Sequence, residues 1–133
     1  MDTQFEPFEL KKQNRFLVNF KNIDIPSFVV YKATRPKIVN GGWGNMSFEM
    51  WDPIAPSTTK VLYDFYNPSN SLEDLSRLLN LEITILDPTG YEVEKWDIQG
   101  KILEIDFGVL GWSSDLPTEI KVVMSVKDCK LVG

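Results

Sequence analysis

Glu104 and Asp106 come nearest to a catalytic pair in this chain of 133 residues. They stand two positions apart in the alternating segment KILEIDFG, so a strand would place both carboxylates on one face, with β-carbons about 7 Å apart. Carboxylate pairs that cleave glycosides stand about 5 to 9.5 Å apart, and the spacing falls in that range. A general acid of that kind needs burial, however, whereas these residues and Asp97 alternate with apolar neighbours as on a solvated sheet face. The pattern favours a solvated face, and a carboxylate-dependent hydrolase is the alternative.

The residue types on which many hydrolases and metalloproteins rely are missing from the sequence. It contains no histidine, which excludes serine–histidine and cysteine–histidine catalysis and histidine-bound metals. The single cysteine, Cys129, excludes an intrachain disulfide and a cysteine zinc cage, and it closes a strand pattern as a small buried apolar group would. The sequence therefore predicts no catalytic residue, no metal and no cofactor.

The charge balance opposes tight nucleic-acid binding. Nineteen acidic residues against 14 basic ones give a formal charge of −5, whereas phosphate binding needs clustered positive charge. The four tryptophans are more typical of a core or of a protein interface, where tryptophan is enriched. A monomeric module that binds a carbohydrate or a peptide through Trp43, Trp51 and Trp112 is a second hypothesis.

The length fits one domain over residues 1–133, because domains most often hold roughly 100 to 150 residues. Residues 1–13 are predicted to form a flexible N-terminal arm. No apolar run approaches the roughly 18 residues of a membrane span, and the first residues lack the apolar core of a signal peptide. A soluble, unexported protein with no membrane partner is expected.

The first half of the chain combines strands with one helix. RFLVNF and FVVYKA are predicted to form a hairpin through KNIDIPS, and MSFEMW alternates as a third strand with Met46, Phe48 and Met50 on one side. NGGWGN lacks the lysine and hydroxyl residue of a phosphate-binding loop and is predicted to be a flexible turn. Apolar spacing predicts a helix from Ser57 to Asn67, and SLEDLSRLLN predicts a weaker second helix or an ordered connector.

The second half of the chain is nearly all strand. LEITIL ends in a DPTG turn, and YEVEKWDIQ and KILEIDFG are separated by a bulge or bend at Gly100. Leu103, Ile105 and Phe107 are predicted to point inward, opposite to the two carboxylates, and TEIKVVMSVKDCKLV forms the last strand. About seven strands with one flanking helix predict a mainly β fold, either a β-sandwich or a small barrel.

The order of several motifs resembles the tail tube protein family of contractile-tailed bacteriophages, itself similar to the tube proteins of type VI secretion. The resemblance spans about residues 14 to 131. It rests on FLVNF…VVYKATRPKI, on DPIAPSTTKVLYDF and on LDPTGYEVEKWDIQGKILEIDFGVLGWSSDLPTEIKVVMSV. The most specific parts are the KATRP turn, the DP-I-APS segment before the helix, the DPTG…VEKW hairpin and the DFG…WSSD loop.

The resemblance implies a β-sandwich with a flanking helix, whose subunits join edge to edge into sixfold rings so that the inner sheets close into one ring-wide barrel. Stacked rings would form a hollow tail tube, a non-enzymatic part of the virion assembled in the host cytoplasm, with sheath, baseplate and tape-measure proteins as partners. Six copies at −5 each would carry −30 formal charges per ring. An acidic lumen would let DNA pass during ejection without specific binding.

Strand alternation combined with the resemblance assigns three sets of residues, and the opposite sheet face stays open as an alternative for the lumen. The lumen candidates are Glu82, Asp97, Glu104 and Asp106. The ring-to-ring contact candidates are Asn40, Gly41, Gly42, Trp43, Gly44 and Asn45, and the candidates for a helix face toward the sheath are Lys60, Tyr63 and Asp64.

The chain departs from the family between KATRP and DPIAPS. Relatives carry a longer segment there, which forms an arm that reaches the neighbouring ring, whereas this chain has only KIVNGGWGNMSFEMW. The resemblance therefore leaves two roles open. The favoured one is the repeating tube subunit, and the other is a ring protein at one end of the tube, either a baseplate tube initiator or a tail terminator.

Overall fold

The computed structural model describes residues 10–66 and 77–132, which form eight strands, one α-helix and one short 3-10 helix. The elements are, in chain order, β1 (Phe16–Phe20), the 3-10 helix (Ser27–Val29), β2 (Val30–Ala33), β3 (Ile38–Val39), β4 (Gly42–Trp43), β5 (Asn45–Trp51), α1 (Thr58–Tyr66), β6 (Leu79–Leu86), β7 (Glu92–Asp106) and β8 (Glu119–Leu131).

Six of the strands form one antiparallel sheet in the order β1-β6-β7-β8-β5-β2, which curls into a nearly closed barrel. β3 and β4 form a separate two-stranded hairpin. The mainly β prediction with one flanking helix is confirmed, in its small-barrel form. The two edge strands, β1 and β2, are neighbours in sequence and lie at opposite ends of the sheet order.

The predicted hairpin between the first two strands is wrong, because β1 pairs with β6 and β2 pairs with β5. Two-residue turns are the commonest connections in β-hairpins, whereas residues 21–29 separate these strands and include Pro26. Ile25 and Val29 of this connection are buried. The segment therefore packs into the core while it carries the chain from one edge of the sheet to the other.

The core fills the inside of the curled sheet and follows the predicted alternation. Val18 and Phe20 of β1 are buried, and Phe16 is partly buried against the same cluster. Where the pairing is regular, the strands of the large sheet contribute alternate residues to the core, as expected where one sheet face is buried and the other is exposed to solvent. The buried positions of the central strands include Met46, Phe48, Met50, Leu81, Ile83, Ile85, Ile98, Ile120, Val122, Met124 and Val126.

Two irregularities interrupt the pairing of β7 with β8. The first lies between Gln99 and Gly100, where the extra residue, Lys127, belongs to β8. A β-carbon on Gly100 would lie 2.7 Å from the carbonyl oxygen of Ser125, so the strands approach too closely there for a side chain. The bulge predicted at Gly100 is therefore confirmed.

The second irregularity makes part of the predicted inward pattern wrong. Leu103 is the extra residue of this bulge, between the pairs of Ile102 with Met124 and of Glu104 with Val123. Because a bulge shifts the alternation by one residue, Ile102 and Ile105 face the core while Leu103 is 51% exposed. Phe107 is also exposed, at 40%.

The helix α1 packs its apolar side onto the core through Leu62 and Phe65. The Ser57 hydroxyl oxygen accepts a hydrogen bond from the Lys60 amide at 3.3 Å, as an N-cap residue does. The Asp52 carboxylate accepts hydrogen bonds from the Thr59 amide at 3.1 Å and from its hydroxyl at 2.6 Å. The predicted helix is confirmed in type and place within Thr58–Tyr66.

The predicted second helix falls mostly on residues 71–76, which lie outside the described residues, as does Asn67. Its last two positions are wrong for a helix, because Leu79 and Asn80 begin β6. The leucine spacing there also suits a strand, since Leu79 and Leu81 alternate with polar Asn80 on the buried side of the sheet.

Candidate functional site

The four predicted lumen carboxylates share the sheet face that points away from the core. Glu82 of β6 lies directly across from Asp97 of β7, and the Lys21 ammonium lies 3.4 Å from Glu82 and 3.0 Å from Asp97. The hydrogen bond to Asp97, with the charges of both carboxylates, raises the pKa of Lys21. One cation therefore offsets part of the negative charge at this end of the face.

Glu104 and Asp106 lie farther along β7, across from Val123 and Lys121 of β8. Both carboxylates are exposed. Asp106 accepts a hydrogen bond from the Gly108 amide at 2.9 Å, at the point where the chain leaves the sheet. The exposure of both side chains matches the solvated face expected from the sequence, and it does not provide the enclosure that a general acid in a glycosidase needs.

The predicted ring-to-ring segment is an ordered hairpin between β3 and β4. Asn40 and Gly41 have φ angles of 51° and 80°, the left-handed values that a two-residue type I′ turn requires. Trp43 is half-buried, and its ring lies edge-on against Trp96 with centroids 6.4 Å apart. The prediction of a flexible turn is therefore corrected to a hairpin anchored by one tryptophan, while its role in ring contacts stays a prediction.

The predicted sheath-facing residues Lys60, Tyr63 and Asp64 are all exposed on α1, opposite to the side that packs on the core. The helix packs on the core through Leu62 and Phe65, so these three residues lie on its solvent-exposed side. Its partner stays a prediction.

Sequence reasoning missed the one buried acidic residue of the described chain, Glu94, which is 6% exposed and faces the core side of the sheet. Lys11 donates a hydrogen bond to its carboxylate at 2.6 Å, Arg35 lies 3.1 Å from both oxygens, and the Trp96 indole donates a third contact. Burial opposes the charge, but the hydrogen bonds from Lys11, Trp96 and Arg35 prevail and lower the pKa of Glu94 to about 2.

A period-two count along β7 could have found this residue, since Glu94 is in phase with Trp96 and Ile98. The carboxylate joins three distant parts of the chain: the N-terminal segment, the connection after β2, and β7.

Two cavities open on the described part of the chain. One of about 510 Å³ lies between the edge strands and is lined by Phe16, Ala33, Ile85 and several basic residues. A second, of about 550 Å³, lies under the loop between β7 and β8, and its charged lining residues are Glu49, Asp106, Glu119 and Lys121. Among residues 10–66 and 77–132, no cluster of potential metal ligands is found.

The tryptophans proposed for a binding module are dispersed. Trp51 stacks on Tyr31 with centroids 4.3 Å apart, and Trp112 is fully exposed in the loop between β7 and β8. Burial together with the Glu119 and Glu49 carboxylates raises the pKa of Tyr31, so this phenol stays protonated beside them.

Within the described residues, no helix is both long and apolar enough to cross a membrane.

Neither a family model nor a curated protein matches the chain, but solved structures do. A chain of the anti-feeding prophage baseplate, 6-fold symmetrised, has a TM-score of 0.69 at 17% identity, over 95% of this chain and 97% of that one. A chain of the PVC sheath-tube complex in its extended state, from an extracellular contractile injection system, has a TM-score of 0.67 at 10% identity, over 92% and 91%.

A third match is a chain of the tube-terminating cap of the anti-feeding prophage, with a TM-score of 0.69 at 10% identity over 97% of this chain and 95% of that one. At such identities the likeness concerns the fold, and it extends over nearly the whole length of both chains in every case. The resemblance predicted from the motifs is confirmed at that level: the chain has the tube-like fold found in contractile injection systems.

Proposed function

We propose that the chain is a non-enzymatic structural subunit that forms stacked hexameric rings of a tail tube, with an acidic lumen through which DNA passes. The fold supports this role because it matches chains of a sheath-tube complex, a baseplate and a tube-terminating cap over 92–97% of its length. Tail sheath, baseplate and tape-measure proteins are the proposed partners, with the Lys60, Tyr63 and Asp64 side of α1 directed to the sheath.

The main support for the proposal is that four carboxylates lie on the solvent-exposed face of a single sheet, away from the core. They are Glu82, Asp97, Glu104 and Asp106. If copies join edge to edge, the same face of every sheet lines one surface, so the carboxylates of six copies form a continuous negative wall. Such a wall repels phosphates and keeps DNA from adhering.

The edges of the sheet favour such joining. In the described part of the chain, β1 pairs only with β6 and β2 only with β5, so each has one side without a strand partner. Edge strands present unpaired backbone N–H and C=O groups, which proteins cover or pair to avoid aggregation. In a closed ring, the edge strands of adjacent copies would pair these groups. The inner sheets of a ring would then complete a shared barrel.

Assembly is tested first, by negative-stain microscopy and light scattering of the purified chain over a range of concentrations. Sixfold rings or tubes are expected. A chain that stays monomeric at the highest concentration contradicts the proposal, and leaves the monomeric binding module as the remaining hypothesis.

The lumen is tested by charge reversal. Asp106→Lys is compared with Asp64→Lys, which makes the same charge change on the exposed side of α1. Both variants should assemble, but only tubes of the first should retain labelled DNA, and more strongly at low salt. Equal retention by both, or retention by the α1 variant alone, assigns the lumen to another face.

A tube-end ring, such as a baseplate tube initiator or a tail terminator, is the second candidate. It is favoured by the matches to a baseplate chain and to a tube-terminating cap. Ring stacking separates the two roles, because a repeating subunit forms long stacks on its own, whereas an end protein stops at one ring or binds one end of a tube made by another protein.

A further inference from the structure

The loop that joins β7 to β8, residues 107–118, exposes a group of large apolar side chains. Val109 is 90% exposed, Leu110 91%, Trp112 107% and Leu116 76%. Burying one tryptophan and three aliphatic side chains removes on the order of 500 Å² from water, more than half of the roughly 800 Å² that each partner contributes to a standard interface. A patch of this size on one loop indicates an interaction site.

An apolar cavity that suits this loop lies on the same chain, between α1 and β7. It has a volume of about 260 Å³. Two tyrosines of α1, Tyr63 and Tyr66, form one wall, and Leu103, Glu104 and Phe107 form part of the other. A copy bound in this cavity would cover Tyr63 and Glu104, so the sheath and lumen contacts would then rest on the other candidate residues. Leu103 reaches the cavity because the bulge in β7 turns it outward.

We propose that Trp112 of one copy of the chain inserts into the cavity between α1 and β7 of the next copy. Trp112 is fully exposed, so it does not fill the cavity of its own chain. A contact between two different patches is head-to-tail, and repetition of such a contact closes into a ring or extends into a filament.

A second copy explains both features with one contact. In a closed ring, every loop enters a cavity and every cavity receives a loop, so neither apolar patch remains in water. A foreign partner on the loop would leave the cavity of each copy exposed, and the reverse holds for a foreign partner on the cavity. The inference rests on the proposed function in that it names a contact within the ring, and it is tested separately from the lumen.

The test measures self-association by sedimentation velocity for the native chain, for Trp112→Ser on the loop and for Leu103→Ser in the cavity. Tyr91→Ser is the matched control, since Tyr91 is 74% exposed at the opposite end of β7. The first two variants should weaken association by at least about tenfold, as expected for a central interface anchor, and the control should not change it. Circular dichroism checks that each variant is folded.

An equimolar mixture of the two variants gives the sharpest result. The Trp112→Ser copy keeps an intact cavity and the Leu103→Ser copy keeps an intact loop, so a head-to-tail contact allows one pairing and the mixture should form dimers but no larger species. A mixture that stays monomeric, or variants that associate like the native chain, overturns the proposal. If the native chain forms rings while Trp112→Ser also does, this contact is wrong and the proposed function stands; a native chain that never associates contradicts both.

Discussion

Replacement of the buried Glu94 by glutamine should destabilise the fold by an amount that depends on pH. The carboxylate is 6% exposed and its pKa lies at about 2, against 4.5 for an ordinary glutamate. At about 1.4 kcal/mol per pKa unit, the difference corresponds to roughly 3 kcal/mol of stability at pH 7. Glu94→Gln removes the charge that Lys11 and Arg35 bind, so the variant should lose about that much.

The direction in which stability changes with pH follows from the lowered pKa of Glu94. A carboxylate whose pKa is depressed by folding stabilises the fold above its unfolded pKa, near 4.5, and this contribution disappears as the pH falls toward 2. By linkage only roughly 1 kcal/mol should remain at pH 3, so the gap in unfolding free energy between native chain and variant should shrink by roughly 2 kcal/mol.

Urea denaturation at pH 7 and at pH 3 measures both quantities. Glu92→Gln is the matched control, because Glu92 is exposed on the same strand and pairs with the nearby Lys95 at 3.3 Å; its replacement should cost less than about 1 kcal/mol. The reasoning is refuted if Glu94→Gln is as stable as the control at pH 7, or if its deficit is the same at both pH values.

Three further outcomes are expected from single positions. Gly100→Ala should destabilise the fold by about 1–3 kcal/mol in chemical denaturation, because the new methyl carbon would lie 2.7 Å from the backbone carbonyl oxygen of Ser125, whereas Gly42→Ala, whose nearest atom would lie at 3.9 Å, should be tolerated. Cys129 should resist iodoacetamide at pH 8 until urea unfolds the chain, since burial, with nearby carboxylates, raises the pKa of its thiol; rapid labelling of the native fold would contradict this. Asp87→Ala should lower the melting temperature, because the Asp87 carboxylate accepts hydrogen bonds from the amide and the hydroxyl of Thr89 and closes the turn. An unchanged melting temperature would show that the turn is stable without these hydrogen bonds.

The strands of the large sheet and the helix could be predicted because each carries a clear period, whereas the two-residue strands β3 and β4 lie in and beside a segment predicted as a turn. Met46, Phe48 and Met50 alternate with polar residues, and Leu62 and Phe65 repeat at helical spacing, so burial follows from local pattern. Strand pairing depends on distant segments instead. The predicted hairpin between the first two strands is wrong because β1 pairs with β6 and β2 pairs with β5, and no local sequence pattern indicates these pairings.

The candidate site was predictable in part for a related reason. Glu104 and Asp106 are exposed as expected, since alternation assigns a face once the core residues are known. The bulge at Leu103 leaves no mark in composition, so the outward turn of that leucine, and with it the cavity beside α1, could not be foreseen. Glu94 was overlooked because a charged residue in a strand is usually at the surface, and its partners Lys11 and Arg35 are remote in sequence.

The two irregularities between β7 and β8 offset one another. Lys127 is the additional residue of one strand and Leu103 of the other, so residues beyond both points face each other in the same alignment as before them. Loss of either residue alone would shift the register between β7 and β8 by one residue on one side of the deletion. That shift would exchange the buried and exposed side chains there. Loss of both together would keep the two halves aligned.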